Sequence, residues 1–244
     1  MAHGMRDYGI YAVKSTVVAL EDMAELAARL GSIVTYDRKG DVIFTDDYEA
    51  PTEKFRDSSL ALAEVKLDST TAVSGAQSVK LTTPDTTDRY AEISYVIPPY
   101  RLGKHGIKVS ISAYQMGGLT GYYQIYVLFY DSVHSHELGV KINPKGELVE
   151  LLISGVWTTI IDDLFVDTSL VTWWHNVKLT FDLDTGYYDK LLIDAASWDL
   201  SAYQYLKLAD TTTTLFEVYF TLNPDADNEL ELYQDDFVYT INEP

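Results

Sequence analysis

Residues 121–130 read GYYQIYVLFY, and the fold turns on how this stretch is read. Successive side chains of an extended chain point to opposite faces. Tyr123, Ile125, Val127 and Phe129 then share one face, and Tyr122, Gln124, Tyr126, Leu128 and Tyr130 share the other. The first set is wholly apolar apart from one hydroxyl and predicts a buried face. The second is amphipathic and predicts a face that meets water or a partner. Outward from this stretch, the same alternation runs through LALAEVKL (60–67), SVKLTT (78–83), RYAEISYVI (89–97), GIKVSISAY (106–114), HELGVKIN (136–143) and ELVELLIS (147–154). It continues in WHNVKLTFDLD (174–184), GYYDKLLIDA (186–195), LFEVYFTLN (215–223) and ELELYQDDFVYTIN (229–242). Turn-forming clusters separate several of these runs, as in NPKG (143–146), LDTGYY (183–188) and NPDADN (223–228). Many short strands without intervening helices predict an antiparallel sandwich or barrel.

The first 40 residues differ. In ALEDMAELAARLG (19–31), Leu20, Met23, Leu26, Ala27 and Leu30 recur at helical spacing, with Glu21, Asp22, Glu25 and Arg29 on the opposite side. Acids in the first half, Arg29 in the last turn and Gly31 as the stop suit a short amphipathic helix. The apolar segment containing Tyr8, Ile10 and Tyr11 precedes it. A helix this short is marginal in water unless its stripe is covered. Residues 1–44 therefore read as an arm, helix and hairpin for assembly, with Tyr8, Ile10, Tyr11, Leu20, Met23, Leu26 and Leu30 as its interface. Residues 45–244 read as the sandwich.

Composition excludes several classes. A formal charge of −19 over 244 residues repels phosphate backbones, so no nucleic-acid partner is expected. There is no cysteine, hence no disulfide and no thiolate metal site. No apolar run reaches the ~18 residues of a membrane helix, and the opening MAHGMRDYGIYAVK lacks the basic and apolar regions of a signal peptide. Membrane insertion and conventional secretion are not expected.

Two acidic-aromatic pairs bracket the regular structure: TDDYEAP (45–51) and YQDDFVY (233–239). Together with TWWHNVKLTFDLDTGYYDKLLID (172–194) and SGAQSVKLTT (74–83), they resemble concanavalin-like and laminin-G-like jelly rolls. The Trp-His strand, the Asp-x-x-Thr-Gly hairpin and the strand after it carry that resemblance, which extends over about residues 42–241. It implies an all-β, antiparallel jelly-roll β-sandwich of the kind found in carbohydrate-binding modules and tailed-virus virion proteins. It also implies that the first and last strands lie together, bringing Asp46 and Asp47 near Asp235 and Asp236.

The resemblance sharpens the search for sites. Laminarinase-type hydrolases of this fold carry Glu-x-Asp-x-Glu or Glu-x-Asp-x-x-Glu on one strand, so that two carboxyls enter the cleft together. ELVE (147–150) and ELEL (229–232) lack the middle Asp. With no other catalytic motif present, no catalytic residues are assigned and the protein is read as non-enzymatic. Asp46, Asp47, Glu49, Asp235 and Asp236 supply the oxygens a structural calcium needs if the two strand ends meet. His134 and His136 sit on one side of a strand, about 7 Å apart at Cα, but no spaced third ligand is evident and the pair reads as a solvated turn. Tyr122, Tyr126, Tyr130 and Trp173 are candidates for stacking against a glycan or for a protein surface. The leading expectation is a structural protein of a virus particle, made in the host cytoplasm: a capsid decoration or tail-associated subunit that contacts its own copies or other virion proteins, with cell-surface glycan as a further partner. The alternatives are a lectin-like carbohydrate-binding module and a glycoside-active enzyme.

Overall fold

The computed structural model describes residues 40–244 except 51–52, 61, 87–88, 98–101, 114–115, 117–119, 165, 167 and 226–228. The expected arm and the helix at 19–31 fall outside the described residues. Gly40–Pro244 forms one compact unit, and Asp41–Asp46 is a strand of it, so the sandwich begins a few residues before position 45.

Sixteen strands run along the unit: β1 (Asp41–Asp46), β2 (Arg56–Asp57), β3 (Glu64–Asp68), β4 (Ser78–Thr82), β5 (Ala91–Ile97), β6 (Lys104–Ser112), β7 (Gly121–Tyr130) and β8 (His134–Asn143). Then come β9 (Leu148–Ile153), β10 (Val156–Ile161), β11 (His175–Asp182), β12 (Tyr187–Ile193), β13 (Ala196–Asp199), β14 (Leu206–Ala209), β15 (Leu215–Pro224) and β16 (Glu231–Ile241). They form two antiparallel sheets. The first has the order β13-β12-β11-β6-β16-β4-β3, with β1 also on β16; the second has the order β10-β9-β8-β7-β15-β5-β2, with β14 also on β8. No helix occurs among the described residues. The molecule is a jelly-roll sandwich, as the alternation and the resemblance predict.

Alternation decides which side chains enter the core, because a one-residue slip would turn a strand's whole apolar set outward. In β7, buried and half-buried residues alternate without a break. Val127, Phe129, Val177, Leu179 and Phe181 are all buried.

The acidic-aromatic echo has a topological cause. Strand β16 pairs with β6 along one edge, while its other edge is shared: β4 takes residues 231–234 and β1 takes 237–241. Asp235 and Asp236 stand at the changeover, where the register against β6 shifts and Asp236 adopts φ 51°. Such a bulge bends the strand and leaves residues free of the ladder. Across the pairing, Asp46 lies opposite Phe237. The Phe44 and Phe237 rings are 5.6 Å apart and pack with Tyr95 and Phe220. Fully burying one such ring stabilises the fold by about 1.5–3 kcal/mol.

Candidate functional site

The outward face of the second sheet carries a row of aromatic rings across the strands. Tyr219 of β15 is the cross-strand partner of Tyr126 in β7, and Tyr126 is the partner of Gly139 in β8. The Tyr126 and Tyr219 rings are 6.0 Å apart. Trp157 of β10 leans over Gly139 from the other side. A Cβ at Gly139 would stand 2.8 Å from the Ile125 carbonyl oxygen and 3.1 Å from Trp157 Cη2, so only glycine lets the indole lie there. From β15 to β10 there are four strand intervals, or roughly 19 Å at ~4.8 Å each.

The row is held from behind. The ladder between β8 and β9 begins at Val140, and Tyr188 of the first sheet inserts its hydroxyl just beyond. It accepts the Gly139 N–H at 2.9 Å and donates to the Leu152 carbonyl at 2.9 Å. Two buried backbone groups that would otherwise lack partners are thereby satisfied.

Lys141 stands beside this row, with Nζ 4.3 Å from the ring centroids of both Tyr122 and Trp157. A cation shared between two rings fixes them in place. Burial lowers the Lys141 pKa, opposed by Glu150 and Asp225. The Tyr126 hydroxyl donates to Glu137 at 3.0 Å, and Tyr219 donates to Glu217 at 2.7 Å. Burial first, and then those carboxylates, raise both phenol pKa values. Thr221 donates to Glu92 at 2.7 Å, and burial raises the Glu92 pKa. The face thus presents rings, hydroxyls and carboxylates, with the phenols protonated.

Of the sequence candidates, Tyr122, Tyr126 and Tyr130 share this face. Trp173 does not. It lies in the loop before β11, where Thr71 and Ser112 bond the Val171 carbonyl and Trp174 Nε1 donates to Thr71. Trp157, Tyr219, Lys141 and Gly139 were missed. Trp157 occupies VWTTII (156–161), a run without clear alternation, and its place depends on the β8-β9-β10 register.

Three of the five acidic candidates, Glu49, Asp235 and Asp236, hold one loop, residues 71–77, while Asp46 and Asp47 bond elsewhere. Glu49 Oε1 accepts the N–H groups of Ala76 and Gln77 at 2.7 and 2.8 Å. Gly75, at φ 67°, makes room, since a Cβ there would overlap that carboxylate. Asp235 Oδ2 accepts from Val73 and Ser74 at 2.8 and 3.2 Å, and Asp236 accepts from the Ser74 hydroxyl at 2.8 Å. Burial, then the neighbouring Asp236 charge, push the Asp235 carboxyl up to about 6. Asp46 is buried and receives the Tyr95 hydroxyl and the Tyr48 N–H. Asp47 accepts the Glu49 N–H at 3.3 Å.

The histidine pair departs from expectation. His136 is fully buried rather than solvated, and a third group stands beside it: Asp131, five residues earlier across the β7–β8 hairpin. Among the described residues, Asp131, His134 and His136 are the group of three potential ligands whose donor atoms converge.

Neither a protein-family model nor a curated protein sequence matches the chain. Solved structures do match in shape. An endo-β-1,4-glucuronan lyase from the fungus Trichoderma reesei superposes at TM-score 0.58 with 11% identity, over 83% of this chain and 96% of that one. The alginate lyase vAL-1 from Chlorella virus superposes at TM-score 0.55 with 11% identity, over 82% of this chain and 100% of that one. Part of a sialidase superposes at TM-score 0.53 with 13% identity, over 84% of this chain; the chain spans only 19% of that protein's length. At these identities the likeness is one of fold. The chain shares their fold, a jelly-roll β-sandwich.

Proposed function

We propose that this protein binds a neutral polysaccharide along the outward face of its second sheet, without turning it over. The observation that carries the reading is the aromatic row Tyr219–Tyr126–Trp157, with Lys141 fixed between Tyr122 and Trp157. Flat rings match the apolar faces of pyranoses, and Glu92, Glu137, Glu150, Glu217 and Gln124 beside them accept or donate hydrogen bonds to sugar hydroxyls. Four carboxylates against one lysine favour an uncharged chain over the uronate polymers named for the two similar lyases. Protonated phenols that already donate to carboxylates suit binding better than proton abstraction. Affinity electrophoresis against soluble β-glucan, xylan, galactomannan and alginate tests this. Retardation by a neutral polymer, weaker for Trp157→Ala and absent for alginate, supports it; retardation by alginate alone contradicts it.

The setting we propose is a virus-particle subunit that presents this face outward, with residues 1–39 making the attachment. Gly40–Pro244 is a compact unit by itself, and the amphipathic pattern of residues 19–31 supports a separate role for the N-terminal segment.

A further inference from the structure

The β7–β8 turn and the start of β8 bring three ligand-type side chains together at one end of the sandwich. Asp131 Oδ1 accepts the N–H groups of Val133 and His134 at 2.7 and 2.5 Å, which closes the turn and fixes the carboxylate. Oδ2 is left facing two imidazoles, 3.4 Å from His134 Nδ1 and 3.3 Å from His136 Nε2. These separations are long for a charge-assisted N–H···O bond, which runs about 2.7–2.9 Å. They match the edges of a metal tetrahedron: donor atoms about 2.0–2.2 Å from a zinc ion lie roughly 3.3–3.5 Å from one another.

A second observation concerns the other nitrogen of His136. Its Nδ1 lies 3.3 Å from the Tyr205 hydroxyl, and that hydroxyl already donates to the Asp182 carbonyl at 2.9 Å. The phenol oxygen can therefore only accept, so Nδ1 carries the proton. Nε2 then faces the carboxylate with either a second ring proton or a bound cation between them, and the 3.3 Å separation suits the cation. A ligating histidine whose far nitrogen is pinned by an outer partner is how proteins orient a metal ligand. His136 has no exposed surface and packs against Phe129 and Tyr205, whereas His134 is 37% exposed, so solvent can reach a fourth position. The opposing feature is Lys207, the cross-strand partner of His136, whose charge disfavours a cation nearby.

We infer that Asp131, His134 and His136 form a binding site for one borderline divalent cation of the Zn²⁺ class, with solvent as the fourth ligand. Two imidazoles and one carboxylate select such a metal over calcium or magnesium, which need all-oxygen shells. The site is independent of the glycan face.

The test uses the full chain, stripped by chelator and carrying His3→Ala so that this histidine adds no ligand. Co²⁺ is titrated with visible absorption as the readout, and Zn²⁺ is used to compete. The expected result is a saturable 1:1 tetrahedral Co²⁺ spectrum that Zn²⁺ abolishes and excess Ca²⁺ does not. His134→Ala, at the exposed ligand, should weaken binding ~10-fold or more with the melting temperature of the stripped protein unchanged. Asp131→Asn, which keeps the turn's acceptor oxygen, should do the same. A chain that gives no tetrahedral spectrum holds only an Asp–His ion pair, and the proposal fails. Binding that is multi-site and indifferent to both substitutions is adventitious and fails it equally.

Discussion

The Tyr95 hydroxyl lies 3.1 Å from Asp46 Oδ2 and 3.1 Å from the Tyr48 hydroxyl, joining the second sheet to the end of β1 in the first. Each phenol has one proton, so if Tyr95 gives its own to the carboxylate, Tyr48 donates to Tyr95. Tyr48 in turn accepts from Gln234 Nε2 at 2.7 Å, and Gln234 Oε1 accepts from Tyr123 at 2.7 Å. All five residues are buried. A fully satisfied polar chain of this kind fixes one arrangement of a core that apolar rings alone would leave less specific.

Tyr95→Phe keeps the ring and its packing against Phe44, Phe220 and Phe237 but removes the hydroxyl at the centre of the chain. A buried carboxylate then loses a donor, which costs about 1–3 kcal/mol. Urea denaturation should show a lower midpoint with the slope unchanged. A loss below ~0.3 kcal/mol, within ordinary surface-substitution scatter, would mean that the network contributes nothing.

Asp235 makes stability depend on pH. Its folded pKa of about 6 exceeds the ordinary 3.8. Between those values the folded protein holds a proton that the unfolded chain has released, so this group's contribution falls as pH rises through that window. Asp235→Asn removes the titration. The wild-type melting temperature should therefore gain on the variant as pH drops from 7.5 to 5. A constant difference across that range would show that the carboxyl titrates normally.

Deleting residues 1–39 should leave a cooperatively melting sandwich, because Gly40–Pro244 is compact by itself. Self-association or particle docking should disappear with the segment. Sedimentation velocity of both chains checks this. If the truncated chain unfolds, the segment belongs to the sandwich core and the assembly reading loses its support.

The fold was legible because alternation is a local property: the buried set of β7 can be read from ten consecutive letters. The pairing of β1 with β16 was legible through the repeated Asp-Asp-aromatic pattern, although its cause, the changeover from β4 to β1 at Asp235 and Asp236, was not. The candidate site was half legible. Tyr122 and Tyr126 lie on one strand and announce their shared face. Trp157 and Lys141 meet only through the register of three strands, and no short window of sequence holds that register. Asp131 escaped notice for a related reason: a hairpin folds it back onto a histidine five positions away, whereas strand spacing alone would carry the two apart.

If the aromatic face of the second sheet takes the glycan, Trp157 reports on it directly. With Trp173, Trp174 and Trp198 replaced by Phe, the emission of Trp157 is followed during titration with oligosaccharides of the neutral polymer that retards the protein. The emission should change saturably, and Tyr126→Ala should weaken the binding ~10-fold or more, since stacked aromatic anchors dominate such surfaces. Unchanged Trp157 emission while the oligosaccharide still binds would place the glycan elsewhere and contradict the proposal.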